Sequence, residues 1–102
     1  MNIQQIYMVR DDVSDWYLKP FIVPSEAILV RSFAMHMADG SADDPLTNFP
    51  EHYSVWHVGE VDLVAGELSV VPRRFVGNVE TLVKALDRVQ SRQGVIEEVD
   101  NG

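Results

Sequence analysis

A chain of 102 residues, 46% apolar and 24% charged, suits one globular domain and neither a disordered nor a fibrous protein. The absence of cysteine excludes disulfide frameworks, thiolate zinc sites, iron–sulfur clusters and cysteine nucleophiles. A net charge of −8 argues against a strong generic DNA binder, because affinity for phosphate comes mostly from Lys and Arg displacing counterions.

Residues 3–10 are rich in β-formers, with apolar groups in both alternating sets, and predict a central strand. Asp11-Asp12-Val13-Ser14-Asp15 breaks it. The aromatic, proline-bounded stretch from Trp16 to Pro24 reads as extended chain lying over the core. Ser25 is a good N-cap, and Glu26 suits the positive end of a helix dipole. A helix is expected from there to about Ala38, with Leu29, Val30, Phe33, Ala34 and Met37 on its inner face and Asp39-Gly40 ending it. Ile28 and Met35 fall nearly opposite that face, and form either a contact surface or scattered surface apolar groups.

Residues 40–52 read as a long polar loop, functional or mobile. Tyr53 to Glu60 reads as a strand, with Tyr53, Val55 and His57 on one face and Ser54, Trp56 and Val58 on the other. Asp62 to Gly66 predicts a hairpin turn, and Leu68 to Val71 a return strand stopped by Pro72. Asn78 is the next cap, followed by the helical stripe Val79, Leu82, Val83, Leu86 and Val89, ended by Gly94. Val95, Ile96 and Val99 allow a short last strand.

The expected fold is therefore α+β: an antiparallel sheet with two helices on one face, in the order β-α-β-β-α with an optional final β. A ferredoxin-like split βαβ arrangement is the best match, in which strand one lies beside strand three. The other sheet face then needs solvent or a partner. A domain of this size buries only about 60–65% of its unfolded surface, so pairing with a second copy is a useful source of burial. The N-terminus lacks the basic start and apolar run of a signal peptide. Apolar runs such as Ala27–Val30 fall far short of the roughly 20 residues of a membrane span.

Charge is uneven along the chain. Residues 1–72 hold three basic and eleven acidic groups, net −8; residues 73–92 hold five basic and two acidic, net +3; residues 93–102 add three acidic, net −3. The middle segment carries Arg73, Arg74, Lys84, Arg88 and Arg92, either a solvated helix face or a phosphate-contacting patch.

Four segments resemble a known family: Gln5 to Asp11, with its Ile6-Tyr7 pair; Pro20-Phe21 leading to Ala27 through Phe33, with Ile28 and Arg31; Pro50-Glu51-His52-Tyr53 leading to Val58-Gly59-Glu60-Val61-Asp62; and Gly66. Together, over residues 3–72, they are similar to the small nonstructural proteins of gokushovirus-like microviruses, phages with single-stranded DNA genomes. Residues 73–102 stand outside the resemblance, as a helical extension with an acidic tail. The resemblance implies a location in the host cytoplasm. It also implies a role in phage DNA replication, or in the switch to single-stranded genome synthesis, with a DNA-binding label and no established catalytic residues.

Enzyme chemistry has little support in the residues. His36, His52 and His57 lack metal-ligand spacing, and no glycine-rich phosphate loop exists. Ser54, His57 and Asp62 can be drawn as a triad, but without a nucleophile-elbow context. Asp11, Asp12, Asp15, Glu60 and Asp62 fit turns better than a cation site. No cofactor, metal or catalytic residue is expected.

Aromatic side chains on a sheet stack on bases in single-strand binders. Tyr7, Tyr53 and Trp56 are thus either core residues or a stacking surface, with Arg10, Arg31, Arg73, Arg74, Arg88 and Arg92 as candidate phosphate contacts. The expected function is a non-enzymatic phage protein that binds single-stranded DNA weakly, or a phage or host replication protein, as a homodimer. The alternative is an acidic protein-interaction module. Salt separates the two, since DNA binding through Arg73 and Arg74 weakens steeply as salt rises.

Overall fold

The computed structural model describes residues 2–40 and 43–88. Its elements are β1 (Ile3–Asp11), β2 (Trp16–Val23), α1 (Glu26–Asp39), the helical turn α2 (Pro45–Asn48), a 3-10 turn (Pro50–His52), β3 (Tyr53–Asp62) and β4 (Glu67–Asn78). A further helix, α3, occupies residues 79–88. One antiparallel sheet holds all four strands in the order β2-β1-β3-β4. The class is α+β, as expected. The strand order differs from the ferredoxin-like arrangement: β1 lies between β2 and β3 (Tyr53–Asp62) and does not pair with the return strand β4.

The difference has a local cause. The stretch read as chain over the core is an edge strand, because the acidic turn before it closes a hairpin. Asp11 Oδ1 accepts the N–H groups of Val13 and Ser14 at 3.0 and 3.1 Å, and the Asp15 N–H donates to the Asp11 carbonyl at 2.9 Å. Asp15 supplies the positive φ, 62°, that brings the chain back. The second hairpin repeats this chemistry. Asp62 Oδ1 accepts from Val64 and Ala65, the Gly66 N–H reaches the Asp62 carbonyl, and Gly66 sits at φ 71°. The chain thus runs hairpin, helix, hairpin, helix, with β1 and β3 pairing at the centre.

Both helices cover one sheet face. Tyr7 and Val9 of β1 and Tyr53 and Val55 of β3 form the core with Leu29 and Phe33 of α1 and Val79 and Val83 of α3. Each large side chain so buried contributes roughly 1.5–3 kcal/mol. The two helix starts are capped as their sequences predict: the Ile28 N–H donates to Ser25 Oγ, and the Glu80 N–H to Asn78 Oδ1. Gly40 ends α1 in an extended conformation, φ −65°, not in a left-handed one. The expected long polar loop contains α2, because Asp44 accepts from the Thr47 N–H and Pro45 starts the turn.

Strand β4 does not stop at Pro72. It continues to Asn78, past register shifts opposite Val55/Trp56 and His57/Gly59. Gly59 lets the two strands approach: a Cβ there would lie 2.6 Å from the Ser69 carbonyl oxygen. The optional last strand, Val89 and Gly94 lie outside the described residues. Among the described residues no helix is long and apolar enough to cross a membrane.

Candidate functional site

The sheet face away from the helices carries an aromatic row. Met8 lies opposite Trp56, and Trp56 opposite Phe75, across the three strands β1, β3 and β4. The Trp56 and Phe75 rings meet edge to face, with centroids 5.2 Å apart. Tyr17 of β2 stands opposite Arg10, and Arg10 opposite Ser54, so Tyr17 shares this face. Arg73 links the two sides: its guanidinium carbon is 5.1 Å from the Trp56 ring centroid and 5.5 Å from that of Tyr17. The β4 irregularity opposite His57/Gly59 places Arg73 here while its neighbour Arg74 points to the other side.

A polar relay fixes the Trp56 indole. Its Nε1–H donates to Ser54 Oγ at 3.0 Å, and the Ser54 hydroxyl donates to Asp12 Oδ1 at 2.8 Å. Ser54 is buried and uses both its donor and an acceptor site in this chain. Asp12 also receives Arg10 Nη1 at 2.7 Å, while Arg10 Nη2 bonds Asp15 at 2.6 Å. Donating hydrogen bonds to Asp12 and then to Asp15 raises the Arg10 pKa. The relay runs from the first hairpin turn to the centre of the open face, so the turn chemistry positions the largest ring of the row.

Tyr7 and Tyr53 are core residues and present no ring to a ligand. Tyr7 is 3% exposed, packs 5.0 Å from the His57 ring, and has its hydroxyl beside Glu26 and Arg74. Burial first, and then the Glu26 charge, raise its pKa. Tyr53 is 8% exposed, and burial followed by Asp11 and Asp44 raises its pKa. The reason is register: Tyr7 and His57 are paired on the helix side, as are Val9 and Val55.

The arginines do not form one patch. Arg10 is held by two carboxylates, and Arg74 Nη2 bonds Glu26 of α1 at 3.1 Å. Arg31 and Arg88 are exposed on α1 and α3, and Arg92 lies outside the described residues. Arg73 is the expected phosphate contact that the fold places beside aromatic rings. Ile28 and Met35 are 42% and 62% exposed on α1. Sequence reasoning passed over Tyr17 and Phe75. Phe75 had a usable signal, since the run Arg74-Phe75-Val76 beyond Pro72 has β-forming character.

Other chemistries find no geometry. No group of His, Asp or Glu with metal-binding placement occurs among the described residues. The drawn triad is dispersed: Ser54 bonds Asp12, and His57 Nε2 bonds Gln5 Oε1 at 2.8 Å. Asp11 lies opposite Tyr53 and Asp62 opposite Ile3, so the carboxylates sit at opposite ends of the β1–β3 ladder. An apolar cavity of about 310 Å³ lies between β2, α1 and α2, walled by Phe21, Leu29, Phe33 and Leu46. His36 at its wall bonds Asp44 at 2.7 Å, but Thr47 donates to the same carboxylate and not to the imidazole.

A family model described as phage ORF5 protein matches residues 4–82, from β1 through the first turn of α3. The chain belongs to the phage ORF5 protein family. The ORF5 match takes in both hairpins, all of β4 and the whole aromatic row, so the open face lies within the family's span. No curated protein and no solved structure matches the chain.

Proposed function

We propose that this phage protein is a non-enzymatic binder of single-stranded DNA that uses the open sheet face. It would act in viral DNA replication or in the switch to single-stranded genome synthesis, as the resemblance to gokushovirus-like nonstructural proteins implies. The observation that carries the reading is the row Tyr17–Arg73–Trp56–Phe75, with its central indole fixed by Ser54. Base–aromatic stacking is worth about 1–3 kcal/mol per base and tolerates any sequence. A guanidinium already held over two rings can bond a phosphate with its free N–H edges.

The same geometry sets the expected salt response. Arg10, Arg74 and Lys84 are paired with carboxylates, which leaves Arg73 as the cation of the aromatic row. Single strands lose roughly 0.7 of a decade in affinity per decade of salt for each neutralised phosphate. The dependence is therefore expected to be shallow, with a slope of about −0.7, in contrast to the steep response expected from two adjacent arginines.

Fluorescence anisotropy with a labelled oligothymidine tests this at low salt. Weak saturable binding is expected, reduced several-fold by Phe75→Ala and by Arg73→Ala. Both side chains are exposed, so the fold should persist. Binding unchanged in both variants contradicts the reading.

A second reading rests on the same ion pairs. With Arg10, Arg74 and Lys84 neutralised in place and sixteen acidic residues against eight basic ones, the surface presents acidic groups that suit a basic protein partner. Folded protein that binds no oligonucleotide at high micromolar concentration favours that module.

A further inference from the structure

The two edges of the sheet are built differently. At one edge, β2 carries Lys19 and Pro20 and a register shift, the devices that keep an edge strand from pairing with another chain. At the other edge, the first five residues of β4, Glu67-Leu68-Ser69-Val70-Val71, contain no lysine and no proline. This stretch has no strand on its outer side among the described residues. Leu68 and Val70 are 72% and 93% exposed. Pro72 and the neighbouring irregularity end the unprotected stretch.

We propose that this edge pairs with the same edge of a second copy, antiparallel and centred on Ser69. Backbone direction supports that register. Ser69 turns its carbonyl toward β3, close over Gly59. By alternation in an antiparallel ladder, Leu68 and Val70 turn their backbone groups outward. Centring on Ser69 places Leu68 opposite the partner's Val70, in a pair that exchanges both N–H···O bonds.

The side chains are self-complementary in this register. Glu67 falls opposite the partner's Val71, so no like charges face one another across the seam. Leu68 and Val70 also continue the apolar rows of the open face, where Val70 follows Ile22, Ile6 and Gly59, and Leu68 follows Val61. A two-fold axis perpendicular to the sheet keeps both open faces on one side. The four-stranded sheet is thereby doubled, and the two aromatic rows share one continuous surface.

Sedimentation equilibrium over a range of concentrations tests the pairing. The wild-type protein is expected at twice the monomer mass, Val70→Lys at the monomer mass, and Met35→Lys, on α1, unchanged from wild type. Circular dichroism checks that Val70→Lys is folded, as the exposure of Val70 implies. Independently of that variant, the register places the two Ser69 residues in a non-hydrogen-bonded pair with Cα atoms about 4.5 Å apart, within disulfide range. The chain has no cysteine. Ser69→Cys is therefore expected to give a covalent dimer with oxidised glutathione, and Met35→Cys to remain monomeric on a denaturing gel. A wild-type monomer at every concentration, a folded Val70→Lys dimer, dissociation by Met35→Lys, or failure of Ser69→Cys to crosslink overturns the proposal.

Discussion

Ser54 shows how one small residue serves both fold and site. It is 4% exposed, yet it accepts from Trp56 and donates to Asp12. Ser54→Ala removes the acceptor of the indole N–H and one donor to Asp12, and should destabilise the domain by about 1–3 kcal/mol. Urea unfolding measures the loss, and the Trp56 emission should show a less restricted ring. A stability equal to wild type would mean that the relay does not hold the indole. Asp11 makes a separate prediction. The Ser14 N–H first, and then the Val13 N–H, hold its carboxyl below the ordinary range. A depressed folded pKa contributes stability above the unfolded value of about 3.9, which is lost as pH falls through the folded value. Unfolding measured below about pH 4 should therefore depend less on pH in Asp11→Asn, whose amide oxygen can still accept both bonds. An unchanged profile would remove Asp11 from the acid response.

Among the elements, the two hairpins do most to determine the topology. Gly66 has φ 71° and nothing within 4 Å of where a Cβ would stand, so substitution there reports backbone cost alone. Gly66→Val should lose about 1–2 kcal/mol by thermal or urea unfolding, and Gly66→Asn much less. Equal stabilities would show that the turn does not need the left-handed conformation. The same elements show what could be read from residues. The Ser25 cap, the Leu29/Phe33 pair, the Asp62–Gly66 turn and the Val79/Val83 stripe were legible because each is local. Strand β2 was not, since Lys19 and Pro20 look like loop residues and mark an edge only once β1 is beside them. The direction of Tyr7 was hidden for a related reason. Both alternating sets of β1 are apolar, so only its pairing with β3 decides which face meets the helices. The equivalence of the two hairpins was hidden because Asp15 stands in the first where Gly66 stands in the second.

At the scale of the molecule, the sheet separates two surfaces. The helix side holds the core, Tyr7, Tyr53 and the Arg74–Glu26 pair. The open side holds Tyr17, Trp56, Phe75 and Arg73. This division reconciles a chain of net charge −8 with the proposed binding of single-stranded DNA, because stacking needs rings more than it needs positive charge. The most direct test follows the central ring itself. In a Trp16→Phe background Trp56 is the sole tryptophan, and its emission can be titrated with oligothymidine. Saturable quenching is expected, weakened several-fold in Arg73→Ala and only slightly by added salt. Emission that does not respond to single-stranded DNA, in protein shown to be folded, would contradict it.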